Sequence, residues 1–197
     1  MRKKILLCAL NALIGLFTSA QKLNLEQFKN WKPRNAGPAG MSGRITTIDV
    51  VLNNTNVIYL GAASGGVWKT ENSGNSWTPV FDEQTTQNIG SVAIQQSNPN
   101  IVWAGTGEGN PRNSLNIGEG IFKTLDAGKT WKQMGLENTR NIHRIIIDPV
   151  NPNTVYAAAI GNPFAIHPER GVYKTTDGGD TWTKILYTND TDRKSVV

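Results

Sequence analysis

Three glutamates stand where a side chain could do chemistry. Glu108 lies in Gly105-Thr106-Gly107-Glu108-Gly109, Glu119 follows Gly118, and Glu169 precedes Arg170-Gly171. Hydrolysis of a glycosidic bond needs two carboxyls roughly 5–10 Å apart, one as acid and one as base or nucleophile. Around these glutamates stand Arg44, Asn110, Arg112, Asn113, His167 and Arg170. Such a mix of donors and acceptors also suits a polar ligand that is bound and not cleaved. Both readings stay open from the residues alone.

Other chemistries fail on spacing. Gly128-Lys129-Thr130 resembles the end of a phosphate loop, but Lys123 stands where its first glycine belongs. Gly105-Thr106-Gly107-Glu108-Gly109 lacks the last glycine of a dinucleotide loop, since Asn110 stands there and Pro111 follows. No Gly-x-Ser-x-Gly elbow occurs. His143 and His167 are the two histidines, and their spacing fits no zinc site. The sequence therefore predicts no metal and no cofactor.

The elements that must position these residues repeat three times. Lys69-Thr70-Glu71-Asn72-Ser73-Gly74-Asn75-Ser76-Trp77 returns as Lys123-Thr124-Leu125-Asp126-Ala127-Gly128-Lys129-Thr130-Trp131. It returns again as Lys174-Thr175-Thr176-Asp177-Gly178-Gly179-Asp180-Thr181-Trp182. The tryptophans are 54 and then 51 residues apart. A repeat near 50 residues points to a propeller or solenoid. Each repeat holds four short β-rich runs separated by Gly, Asn and Pro, which is the pattern of a propeller blade. In the first repeat the runs are 44–50, 57–62, 66–70 and 76–80. The predicted fold is thus an all-β propeller of four-stranded blades, with blades at about 36–81, 82–134 and 135–191.

The turn itself reads as structure. Asn72, Asp126 and Asp177 can accept backbone N–H bonds within it. Gly74, Gly128 and Gly179 permit positive φ, and Trp77, Trp131 and Trp182 bury a ring between sheets. A calcium loop needs more acids at closer spacing than any copy supplies.

The two ends of the chain read differently. Arg2, Lys3 and Lys4, the apolar run 5–17 and Thr18-Ser19-Ala20 have the form of a signal peptide over 1–20. Cys8, the one cysteine, falls inside it. Export to the outside or the cell surface follows, with a polar lead-in over 21–35 and no membrane span. Residues 192–197 (Asp-Arg-Lys-Ser-Val-Val) can be encoded by GAT CGG AAG AGC GTC GTG, which resembles a sequencing-adapter read. The expectation is a non-native tail on a truncated fragment, because three blades fall short of a closed ring. Of the formal net charge of +5, three come from Arg2, Lys3 and Lys4 and one from the last six residues, which leaves +1. That balance is no footprint of nucleic acid.

The turn resembles the Asp-box of the bacterial neuraminidase repeat. The fuller pattern resembles sortilin-type propellers and the related secreted bacterial glycosyl-hydrolase-like proteins. The residues that carry it are Gly65-Gly66-Val67-Trp68-Lys69-Thr70, Gly105-Thr106-Gly107-Glu108 and Glu169 to Gly179. The resemblance spans roughly Trp31 to Asp190, and it implies further blades in the same full-length chain. Propellers of this kind include enzymes, receptors and assembly factors. In the xyloglucan-cleaving members an Asp stands two residues before the paired glycines of the first blade, and here that residue is Ala63. A sialidase would need an arginine triad, and no Arg-Ile-Pro is present.

In such a propeller, ligands meet the loops between blades and the loops joining the second and third strands. Here the latter are 63–65, 106–119 and 160–170, and the former bring Arg44, Asn88, Arg140 and His143. The reading favoured at this point is a binding module for an extracellular peptide or glycan. A glycoside hydrolase acting on polysaccharide is the alternative, and a surface or assembly protein is a third.

Overall fold

The computed structural model describes residues 44–110 and 115–189, with 24, 26, 29 and 30 near the N-terminus. The expected signal peptide, nearly all of the lead-in, the tail at 192–197, and the candidates Arg112 and Asn113 lie outside the described residues. The chain divides into two units, Met1–Pro33 and Arg34–Val197. In the first, Lys29 pairs with Glu26 at 2.9 Å.

The second unit carries three four-stranded antiparallel sheets. One is β1 (Ile45–Val50), β2 (Ile58–Ala62), β3 (Gly66–Thr70) and β4 (Thr78–Pro79). The next is β5 (Ile89–Ile94), β6 (Val102–Thr106), β7 (Ile121–Thr124) and β8 (Lys132–Gln133). The last is β9 (Ile142–Ile147), β10 (Val155–Ala159), β11 (Gly171–Thr175) and β12 (Thr183–Leu186). Within each sheet the strands neighbour one another in chain order. This is the all-β propeller arrangement that the repeats predict, with three blades present.

Packing between blades makes the core. Val51, Tyr59, Val67 and Phe81 of the first blade meet Ile89, Val92, Val102 and Phe122 of the second. Trp103, Ile121 and Met134 of the second meet Ile142, Ile145, Val155 and Tyr173 of the third. Strands β5 and β6 are buried along their whole length, and β7 all but Lys123, because the second blade is covered on both sides. The close approach requires two missing side chains. A Cβ on Gly61 would lie 2.4 Å from Ile89 Cγ2, and one on Gly105 would lie 2.6 Å from Ile142 Cγ2. The glycines in the second strand of the first two blades let the next blade's first strand come down onto the sheet.

The turn after each third strand makes the expected bonds to Asn or Asp and adds a threonine hydroxyl to them. The hydroxyls of Thr70, Thr124 and Thr175 accept the N–H of Gly74, Gly128 and Gly179 at 2.9–3.0 Å. Each hydroxyl also donates to the Asn or Asp oxygen two residues on, at 2.9, 2.7 and 2.6 Å. That oxygen accepts the N–H of Ser76, Thr130 and Thr181 at 2.8–3.0 Å. Two successive residues hold positive φ in every copy: Ser73 and Gly74, Ala127 and Gly128, Gly178 and Gly179. The fourth strand was expected to begin before the tryptophan. It begins one residue after it, at Thr78, Lys132 and Thr183. The N–H just before each tryptophan is spent on the turn, so it cannot join the ladder.

Candidate functional site

The blades have two unlike ends. At one end the clasp turn bonds to the turn joining the first and second strands. Ser73 N–H donates to Asn56 O, Ala127 to Asn100 O and Gly178 to Asn153 O, at 2.8–3.1 Å. At the other end, the loops joining second and third strands bond to the loops joining blades. Gly66 N–H donates to Gln87 O, Gly107 to Asn88 O, Gly118 to Arg140 O and Ile160 to Asn141 O, at 2.7–3.0 Å. Every described candidate from the sequence belongs to this second end.

Three of them turn out to build the loops. Arg44 Nε donates to Glu108 Oε1 at 3.0 Å, and Arg44 Nη2 pairs with Glu108 Oε2. The Glu108 side chain is fully buried. A carboxylate with both oxygens on a guanidinium is a joint between the first and second blades and is not free to act as acid or base. Arg170 is 1 % exposed. Its Nη2 donates to Asn162 O and to Ala165 O, holding the loop at 160–170 in shape. All three were expected to face a ligand; Glu108 and Arg170 are buried instead, and the Arg44 guanidinium is engaged by Glu108.

The other two glutamates differ. Glu119 is exposed, and its carboxylate accepts the Thr85 hydroxyl. Glu169 accepts the Tyr173 hydroxyl at 2.8 Å and has Lys184 Nζ at 3.6 Å. The Tyr173 bond holds the Glu169 carboxyl below its ordinary pKa, with Lys184 adding to it. An acid catalyst needs the opposite shift. Tyr173, in turn, is pushed far up by burial and by Glu169.

What the second end leaves open is a cleft between the second and third blades. It has a volume of about 510 Å³ and is lined by Ile117, Glu137, Asn138, Arg140, His167 and Glu169, among others. Arg140 ends a short 3₁₀ turn, Glu137–Thr139, at φ 63° and ψ −58°. A residue with a Cβ seldom holds that conformation, and such strain gathers at sites of function. Among the described residues no carboxylate pairs with the Arg140 guanidinium. His167 packs over Gly161, where a Cβ would meet Nδ1 at 2.6 Å, and that nitrogen is buried without a hydrogen bond. Burial first, then the charges of Arg140 and Arg170, push the His167 pKa down against the pull of Glu169. His143 stacks on Gly109 and is likewise pushed down, by burial and then by Arg144. Asn110 is half-buried at the rim.

Asn141 is a site residue that the sequence reading missed. It is 1 % exposed, and its amide donates to the carbonyls of Glu108 and Asn116. No local signal marks it, because its partners are 33 and 25 residues away. A larger hollow of about 670 Å³ lies at the clasp end, between the turns of the first two blades. Its Trp131 indole and Val80 carbonyl are already bonded to each other, so it is space left by the blade joint. Among the described residues no group of three or more His, Cys, Asp or Glu could hold a metal. No described helix is long and apolar enough to cross a membrane.

Comparison with known proteins agrees with the propeller fold. A family profile described as Sortilin-Vps10 (sortilin, neurotensin receptor 3) matches residues 65–194. The chain is 28 % identical over 152 residues to the xyloglucanase Xgh74A of Acetivibrio thermocellus, covering 69 % of this chain and 17 % of that protein. Among solved structures, the GH74 enzyme of Niastella koreensis is similar at a TM-score of 0.55 and 24 % identity, over 71 % of this chain and 21 % of that one. YCF48 bound to D1 peptide is similar at a TM-score of 0.53 and 16 % identity, over 75 % of this chain and 42 % of that one. These two structures establish the propeller fold. The chain spans less than a fifth of the length of the xyloglucanase it matches.

Proposed function

We propose that this chain, which belongs to the Sortilin-Vps10 family, is part of an exported propeller that binds a peptide or a glycan in the cleft between its second and third blades. The observation that carries the reading is the state of the polar groups at that end. Glu108 is consumed by Arg44, and Glu169 is held ionised by Tyr173. Arg140, Asn138 and His167 still face a cleft of about 510 Å³. Fixed polar groups beside an open cleft favour recognition. One similar structure is that of YCF48 bound to D1 peptide, which supports the binding reading at a coarser level. The remaining blades of a full-length chain would extend the same face.

The second reading, a glycoside hydrolase acting on polysaccharide, is favoured by the xyloglucanase similarity. Ala63, at the place where the resembled enzymes carry an Asp, weighs against it. Titration calorimetry with xyloglucan oligosaccharides and with a peptide library, beside a reducing-sugar assay, separates the two. Binding without hydrolysis is expected. Arg140→Ala is expected to weaken that binding at least about tenfold. Hydrolysis abolished by Glu119→Gln or Glu169→Gln would overturn the binding reading.

A further inference from the structure

Arg140 is the middle residue of a three-residue turn. Asn141 N–H donates to Thr139 O at 2.7 Å, and Arg140 between them has φ 63° and ψ −58°. That combination is a γ-turn of the strained hand, which proteins rarely use.

The repeat supplies an internal control. Gln87 stands two residues before Ile89 as Arg140 stands two before Ile142, so both hold the same place in a loop joining two blades. In both places the backbone carbonyl accepts an N–H from a neighbouring loop. Gly66 N–H donates to Gln87 O at 2.9 Å, and Gly118 N–H donates to Arg140 O at 2.7 Å. Yet Gln87 does not hold positive φ, and its amide turns back to the carbonyls of Phe81 and Gln84. Arg140 lines the cleft instead. The blade joint can thus be closed without strain, and what the strained turn adds is the direction of one side chain.

Asn141 is placed to hold that turn. It is 1 % exposed, and its amide donates to Glu108 O at 2.5 Å and to Asn116 O at 3.0 Å. Its carbonyl accepts the Ile160 N–H at 3.0 Å. Asn88, its counterpart in the earlier junction, is half-buried and donates to one carbonyl, that of Ile117. Gly107 closes the other side: a Cβ there would lie 2.1 Å from Arg140 O and 2.7 Å from Asn141 Cα. The loops at 106–119 and 160–170 therefore both bear on residues 139–141. Backbone strain persists where neighbours overdetermine it in this way.

We propose that Asn141 is a positioning residue: it locks the strained turn and so holds the Arg140 guanidinium out over the cleft, where it meets the bound molecule. This rests on the binding reading above and adds what makes the grip rigid.

Two arms test it, and the first needs no ligand. Arg140→Gly and Arg140→Ala both remove the guanidinium, but only glycine takes positive φ without strain. The glycine variant is expected to melt at least about 2 °C above the alanine variant. In an Asn141→Ala background the turn can relax, and that advantage is expected to vanish or reverse. The second arm is titration calorimetry with a xyloglucan oligosaccharide and with a hexapeptide selected from a random pool. Asn141→Ala is expected to weaken binding of whichever probe the wild type takes by about tenfold. It is expected to add nothing once Arg140 is replaced by alanine, which a general loss of structure would not do. Circular dichroism checks folding, and Asn141→Ser replaces Asn141→Ala should that variant not fold. A glycine advantage that is absent, or that survives the loss of Asn141, overturns the proposal and leaves the binding reading standing. So does a loss of affinity from Asn141→Ala that persists in full beside Arg140→Ala. A wild type that binds neither probe overturns the binding reading, and this proposal with it.

Discussion

At the scale of single residues, the clasp turn depends on a threonine and a carboxylate acting together. Thr124 and Thr175 are each 1 % exposed, while the carboxylates of Asp126 and Asp177 are at the surface. Bonds from the Thr130 hydroxyl and N–H and from Thr124 lower the Asp126 pKa from 3.8 to about 2. Asp177 is lowered further by Thr175 and Thr181. A carboxyl depressed in the folded state stabilises fully above its unfolded pKa, and the contribution fades as pH falls through the folded value. The window for Asp126 is thus about pH 4 down to about 2. Asn72 already does the same work without a charge. Asp126→Asn is therefore expected to flatten the loss of stability across that window, measured by urea unfolding at stepped pH. An unchanged acid profile would show that Asp126 does not contribute.

The Asp and Gly of this turn were legible in the sequence, since each has a local reason to be there. The threonine hub was not, because a threonine at the end of a strand reads as an ordinary β-former. Nor was Ala127, whose φ of 61° is forced on a residue that does not prefer it. The Arg44–Glu108 pair was illegible for another reason. Its members are 64 residues apart, and only the stacked blades bring them together.

At the scale of elements, the blades are locked by absences as much as by contacts. The strands were largely legible from alternation and turn residues. The second blade's double burial follows from its place in the stack, which the repeat count implies. The need for glycine at Gly61 and Gly105 was not legible, because it is set by the next blade's isoleucine. Gly105→Ala places a methyl 2.6 Å from Ile142 Cγ2 and 3.2 Å from Ile145 Cδ1. Overpacking of this kind costs about 1–3 kcal/mol. Chemical denaturation is expected to show that loss, and a neutral result would mean that the blades can slide apart at no cost.

At the scale of the whole molecule, the two ends of the blades divide the work. One end is closed by clasp turns whose donors and acceptors satisfy each other. The other gathers the loops, His167 and a strained arginine around a cleft. The sequence indicated which end to search, through the long loops at 106–119 and 160–170. It did not separate the loop-building residues, Glu108 and Arg170, from the facing ones, Arg140 and His167, because burial is a property of the assembled blades. Arg140 was noted only as an inter-blade loop residue, and its backbone strain has no sequence signature.

Amide hydrogen exchange with and without a saturating xyloglucan oligosaccharide, or a peptide found to bind, tests the central claim most directly. The account predicts slower exchange at 115–120, 137–143 and 161–170, with the clasp turns at 70–77, 124–131 and 175–182 unchanged. Protection confined to the clasp turns, or none in the cleft segments under saturation, would contradict it.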